Sequence, residues 1–420
     1  MSLIKPPPHL KISQWADKFR HLSTESSSEA GKFETSRAIF QKEIMNSIND
    51  PSIDEVVVMS CSQIGKTEIL LNAIGYYIHY APAPILIVHP TLEMARAWSQ
   101  DRLAPMIRDT EILKYKVADV KSKDSGNTVL HKIFDGGHIT ACGANSPASL
   151  ASRPIKIVLC DEIDRYPPTA GSEGDPVMLA KRRSATFWDS KLVLTSTPTV
   201  KGASAIESAF EDTDKRLFYV PCHKCKKKQV LKWSQVQWEK NKPETAKYIC
   251  EHCEKKWTDI ERIKNIAKGH WKATDRFNGR AGFRLNGLYS VWVTMEEAVG
   301  EFLRAKKLPE TLRVFVNTYL GETWEDQGER IDDLGLYDRR EDYTIPDEVV
   351  LLTAGVDVQD DRLEVEVLGW GLEEETWSID YHTIYGDPSA PNIWQELDLI
   401  LSKTYELPNK TKLKIVATCV

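Results

Sequence analysis

Between residues 55 and 200 the chain alternates short β-branched apolar runs with helical stretches, and this pattern restricts its fold more than any other feature. "EVVVMS", "PILIVHP", "IKIVLCDE" and "KLVLTSTP" each hold four to six apolar residues and end in polar or turn residues. Near-continuous apolar runs of this length, with helices between them, predict an α/β fold built on a parallel sheet with crossover helices.

Two of these runs end in chemistry. "SCSQIGKTE", residues 60 to 68, follows the first run and precedes the helical "KTEILLNAIGYYIHY", which is the strand-loop-helix context of a phosphate loop. Ser60 stands where the pattern G-x-x-x-x-G-K-[ST] has its first glycine, and Gly65 is the glycine closer to the phosphates. Backbone N–H groups and the helix dipole favour an anion there. Lys66 is expected to reach the β and γ phosphates of ATP, and the Thr67 hydroxyl to ligate Mg²⁺.

"IKIVLCDEIDRYP" puts Asp161 and Glu162 at the tip of a buried strand, where open parallel sheets bind ligands. Asp161 is expected to hold Mg²⁺, and Glu162 to orient or deprotonate the attacking water. A strand ending in two solvated acids is common by itself; with a GKT loop about 95 residues upstream, the two motifs together point to an ATPase. Thr195, Ser196 and Thr197 lie at another strand tip, where hydroxyls can sense the γ-phosphate or simply end a strand. Arg153, in "SLASRP", can supply charge to the transition state, in cis or from a neighbouring subunit, or be an ordinary surface arginine.

Of the eight cysteines, Cys222, Cys225, Cys250 and Cys253 form two C-x-x-C pairs with 24 residues between them. That spacing predicts a tetrahedral Zn²⁺ site with all four positions filled, hence structural and not catalytic. His223 and His252, inside the pairs, are not expected to be ligands. The lysines around them ("HKCKKKQ") suit a DNA backbone or plain solvent equally.

With 420 residues, 41% hydrophobic and 28% charged, the chain has the makeup of a globular protein of two or three domains. Its net charge of -6 excludes no nucleic-acid partner, since a basic groove can sit in an acidic chain. "MSLIKPPPHL" lacks the core of a signal peptide and no apolar run approaches the roughly 18 residues of a membrane span, so a cytoplasmic location without membrane association is expected. The expected divisions are an N-terminal arm at 1–35, a P-loop ATPase domain at 36–215 and a zinc module at 216–275. A helical and linker region at 276–347 and a last domain at 348–420, ordered strand, strand, strand, helix, strand, follow.

These residues resemble the large subunit of tailed-phage DNA-packaging terminases of the lambda type, nearly end to end. The likeness is carried by "ESSSEAGKFETSRAIFQKEIM", "VVVMSCSQIGKTE", "PTLEMARAWSQDRLAPMIRDT", "NSPASLASRPIKIVLCDEIDRYP", "FRLNGLYSVWVTMEEAVGEFL" and "GVDVQDDRLEVEVLGWG", beside the cysteine pairs. The resemblance implies a RecA-like motor that hydrolyses ATP to move double-stranded DNA into a procapsid, followed by an RNase H-like endonuclease. It also implies a small terminase subunit, a portal and homo-oligomerisation during packaging as partners.

By position, Gln41 resembles the adenine-contacting glutamine of the family, Thr195 to Thr197 its coupling motif, and Arg153 an arginine placed before the acidic strand. Lys66 stands in the ordinary P-loop place, whereas some members carry it near the start of the loop. Asp357 resembles the first metal ligand of the nuclease, which uses carboxylates from several strands in a two-metal mechanism. The next acid of the family follows the strand that "KIVATCV" resembles, so an incomplete nuclease domain with little cleavage is expected. The alternatives are a helicase carrying a zinc ribbon, which would need a second RecA-like domain, and a decayed DNA-binding remnant, which the intact motor motifs disfavour and the expected lack of the later nuclease carboxylates keeps open.

Overall fold

The computed structural model describes residues 10–25, 27, 29–117, 126–147, 150, 153–325 and 344–420, which fall into two compact units, Met1–Asp326 and Gln327–Val420. Among the described residues no helix is long and apolar enough to cross a membrane.

The first unit opens with α1 (Ile12–Phe19), α2 (Gln41–Ile48), β1 (Glu55–Ser60), α3 (Lys66–His79) and β2 (Ile85–His89). A hairpin of β3 (His131–Phe134) and β4 (Gly137–Gly143), then β5 (Ile157–Asp161), β6 (Lys191–Ser196), β7 (Arg216–Pro221) and β8 (Lys228–Val230), come next. β9 (Val236–Glu239), β10 (Lys242–Ile249) and β11 (Lys256–Trp257) form a separate three-stranded sheet. α4 (Asp259–Ile266), β12 (His270–Lys272), β13 (Arg280–Leu285), α5 (Met295–Ala305) and α6 (Pro309–Phe315) complete the unit.

The main sheet has the order β8-β7-β13-β1-β6-β5-β2-β4-β3, with β12 beside β7. From β7 to β4 its strands run parallel, as the apolar runs predict. Both faces are covered. Val56 and Val58 pack with Trp15 and Ile74 on one side, Val57 and Met59 with Ile206 and Phe210 on the other, which is why β1 is apolar from Val56 to Met59.

Two parts of the expected outline differ. The N-terminal stretch is not an extended arm over its whole length: residues 12–19 form α1, whose Trp15 is fully buried against Gly75 of α3. A β-carbon at Gly75 would fall 2.2 Å from the indole, so the missing side chain makes the seat for α1. The sheet also runs on past residue 215: β7, β8 and β12 extend it, and β13, from the stretch read as helical and linker, pairs with β1 along its whole length. Residues 326–343, read as linker, lie outside the described residues.

The second unit is a meander of β14 (Leu351–Val358), β15 (Arg362–Trp370) and β16 (Thr376–Tyr385), then α7 (Pro391–Leu401), β17 (Thr404–Glu406) and β18 (Lys412–Cys419). Its sheet order is β16-β15-β14-β18-β17, with β18 parallel to β14. Val356, Leu363, Val365 and Ile384 pack beneath Ile393 and Leu397 of α7. The alternation of the strands leaves Asp357 and its cross-strand neighbour Glu364 on the other face.

Candidate functional site

The tips of β1, β5 and β6 bring the expected nucleotide residues together. Ser60 is the last residue of β1 and pairs with Leu285 of β13 in strand conformation, so its place demands no glycine. Gly65 does face that demand: its φ is +82°, and a β-carbon there would fall 2.3 Å from Nε2 of Gln41. That amide is buried and donates to the Ile64 carbonyl at 2.7 Å, so Gln41 fixes the loop from behind.

Lys66, the first residue of α3, is 8% exposed. Its ammonium donates to the Cys61 carbonyl at 3.2 Å and lies 3.5 Å from Oε1 of Glu162. Thr67 follows it in the first turn of α3, half-buried. Glu162 sits just past β5 with φ at +56°, a left-handed conformation costing about 1–3 kcal/mol that surrounding contacts must hold. Those contacts are Lys66, the Thr197 hydroxyl, which donates at 3.3 Å, and Arg165 at 3.8 Å.

Asp161 ends β5 and accepts a 2.6 Å hydrogen bond from the Thr195 hydroxyl. Burial pushes its carboxyl above the usual range, against the pull of the Thr195 bond. A divalent cation relieves such a carboxylate, so the donor set fits Mg²⁺ beside a phosphate loop. Ser196 accepts from the backbone N–H of Asp164, which ties the β6 tip to the turn after β5.

Arg153 is not brought to this cluster. It is exposed and donates to Nε2 of His131 at 2.9 Å, on the hairpin at the far edge of the sheet.

The four cysteines also converge. Their sulfurs all lie within 4.8 Å of one another, with Cys222 to Cys253 at 3.8 Å and Cys225 to Cys250 at 3.9 Å. A disulfide needs about 2.05 Å. The edge of a tetrahedron with metal–sulfur bonds of about 2.3 Å is about 3.8 Å, which the donor set fits. Both turns share one backbone design: Cys222 N–H donates to Lys227 and Cys250 N–H to Lys255, with Lys226 and Glu254 left-handed. The first turn follows β7 of the main sheet and the second follows β10, so the cluster staples the two sheets together. His223 and His252 lie outside it.

Residues 27–271 match the family described as phage terminase large subunit gpA, ATPase domain, and residues 280–420 match terminase large subunit gpA, endonuclease domain. The chain belongs to the gpA family of phage terminase large subunits. It is thus a subunit of the DNA-packaging motor, with an ATPase and a nuclease domain. The large terminase subunit of Enterobacteria phage P21 is 32% identical over 452 residues, spanning 100% of this chain and 69% of that one. That of Escherichia phage lambda is 30% identical, with the same coverage. Among solved structures, the HK97 bacteriophage large terminase overlays with a TM-score of 0.48 at 10% identity, covering 89% of this chain and 67% of that one.

Several residues at the terminase site escaped the sequence reading. His89, at the tip of β2, lies 4.0 Å from Asp161, and burial pushes its imidazole down to about 4. Its place at the end of "PILIVHP" was the available signal. Thr318 and Ser290 carry no such signal. The Thr318 carbonyl accepts from the backbone and the hydroxyl of Ser62, and the Ser290 hydroxyl donates to the Gln63 carbonyl, so both brace the phosphate loop.

Proposed function

We propose that the terminase hydrolyses ATP at the tips of β1, β5 and β6. The observation that carries this reading is the convergence of Lys66, Asp161, Glu162, Thr195 and Thr197 in one network of ion pairs and hydrogen bonds. Lys66 and the N–H groups at the start of α3 hold the phosphates, and Gln41 keeps the loop in shape and stands on the adenine side. Thr67 and Asp161 would hold Mg²⁺, which supplies charge neutralisation between the phosphate oxygens. Glu162 orients the water and accepts its proton, while Thr195 to Thr197 carry the change of state from both acids into β6. Arg153 acts at a neighbouring subunit's site, because its contact with His131 places it at the sheet edge. The sheet, with the coupling strand between loop strand and acid strand, supports the RecA-like reading.

Zn²⁺ in the four-cysteine cluster supplies a structural cross-link, and Cys222, Cys225, Cys250 and Cys253 would hold it. In the second unit, three antiparallel strands, a helix and a strand parallel to the first support an RNase H-like reading. Asp357, exposed beside Glu364, is the first carboxylate for its metals. Double-stranded DNA, a small terminase subunit and a portal are the partners this assignment calls for. The test is DNA-stimulated ATP turnover with Mg²⁺. Turnover in the wild-type chain no faster than in Lys66→Ala and Glu162→Gln would refute it.

A further inference from the structure

A groove of about 240 Å³ opens between the stretch leading into α2 and the face of α4. Ile39, Ile263, Ile266, Ala267 and Val291 line it together with the polar Glu34, Ser36 and Arg37. It is below the roughly 300 Å³ of pockets that take a whole drug-sized ligand, and suits one flat group with a polar edge instead.

Its surroundings tie it to the phosphate loop. Val291 follows Ser290, which bonds the Gln63 carbonyl, and Ile39 lies two residues before Gln41, which bonds the Ile64 carbonyl. Val291 follows β13, the neighbour of β1 on the side away from Asp161, which puts the groove toward that side. A nucleotide whose γ-phosphate meets Glu162 therefore has its base on the groove side.

The wall formed by α4 belongs to the cysteine module. His223, between the first two cysteines, is hydrogen-bonded through Nδ1 to Asn265 and pairs through Nε2 with Glu261, both on α4. Arg262, 1% exposed, bonds the carbonyls of Leu288, Ser290 and Val293, so the helix also fixes the segment that braces the loop.

We propose that α4 is one wall of the subsite for the nucleotide base, so that the four-cysteine module sets nucleotide affinity. This rests on the assignment of the ATP site to the Lys66 loop. The module is then more than a staple: loosening the first cysteine turn shifts α4 and opens the base subsite, while Gln41 and Thr318 still hold the phosphate loop.

The experiment compares equilibrium binding of ATP and of inorganic tripolyphosphate, which has no base, to the full chain. Ala267→Trp fills the groove, and Ile263→Ala empties part of its wall without adding bulk. The expected result is at least a tenfold loss of ATP affinity in the first and a few-fold loss in the second, with tripolyphosphate affinity and metal content unchanged. Asn265→Ala, which removes one of the two ties between α4 and His223, should weaken ATP in the same selective way. Wild-type affinity for ATP in Ala267→Trp overturns the proposal, as does an equal loss for both ligands. If the wild-type chain binds neither ligand, the assignment of the ATP site itself has failed.

Discussion

Lys66 Nζ stands 3.5 Å from Oε1 of Glu162, so the proposed phosphate-binding cation and the proposed general base form an ion pair. An arriving γ-phosphate competes with Glu162 for the ammonium, and binding therefore frees the base at the moment a substrate is present. Glu162→Gln removes the competitor and the base together. Its ATP affinity should match or exceed wild type while kcat falls by about 10²–10⁴-fold. Lys66→Ala should lose affinity and turnover alike. Binding and single-turnover measurements on both variants separate the two roles.

The sulfur distances lead to a prediction about metal. Protein purified without chelator should contain about one zinc per chain. Cys250→Ser leaves three thiolates and buries an unmatched hydroxyl between two sheets, and should lose the metal. Zinc held there would contribute several kcal/mol, so the melting temperature of this variant should fall by about 10 °C or more. Metal analysis beside a thermal scan checks both outcomes.

The parallel sheet and its two charged tips were legible in the sequence because each strand is one short apolar run that ends at its functional residue. The cysteine cluster was legible because each ligand pair is local. What sequence could not show depends on pairs far apart. Ser62 and Thr318 meet across 256 positions, and nothing in the run around Thr318 marks it as a partner of the loop motif. β13 was missed for a related reason: "RAGFRL" has the polar interruptions of an exposed segment, yet β1 and β7 cover its two edges. Trp15 sits in a stretch dominated by proline, serine and charge, and only Gly75 on another helix gives it a place. Arg153 was legible as a motif position, but its contact, His131 of β3, lies 22 positions away in the chain.

His79 makes the docking of α1 sensitive to pH. Its Nδ1 accepts the indole N–H of Trp15 at 3.0 Å, which requires the neutral ring. Burial, aided by Lys116 and Lys18, lowers the imidazole below its ordinary value. The folded pKa is thus below the unfolded one. Its stabilisation is complete above about pH 6.5 and is lost as pH falls from there toward the lowered folded value. Losing the bond costs about 1 kcal/mol, or about 2–4 °C in melting temperature. The drop in melting temperature from pH 7.5 to 5.5 should be smaller by that amount in His79→Gln than in wild type. An equal drop in both would show that His79 does not titrate in this range.

Gly321 tests whether the distant segment holds the phosphate loop. Its φ is +61°, and a β-carbon would fall 2.7 Å from the Leu285 carbonyl oxygen and 2.8 Å from the Cys61 nitrogen. Both are backbone atoms, and Cys61 N–H already donates to Leu285 O, so neither can yield without opening the junction of β1 and β13. Gly321→Ala should therefore displace the start of the loop and raise the Kd for ATP by about tenfold or more. The left-handed conformation alone costs about 1 kcal/mol for a residue with a side chain, and that part must be separated from the clash. Gly202 provides the control: its φ is +80°, with nothing within 4 Å of the place a β-carbon would take. Gly202→Ala should cost comparable conformational free energy and leave ATP affinity unchanged. If the two variants lose affinity equally, the effect is general destabilisation. If only Gly321→Ala loses it, the approach of this backbone to Cys61 shapes the nucleotide site.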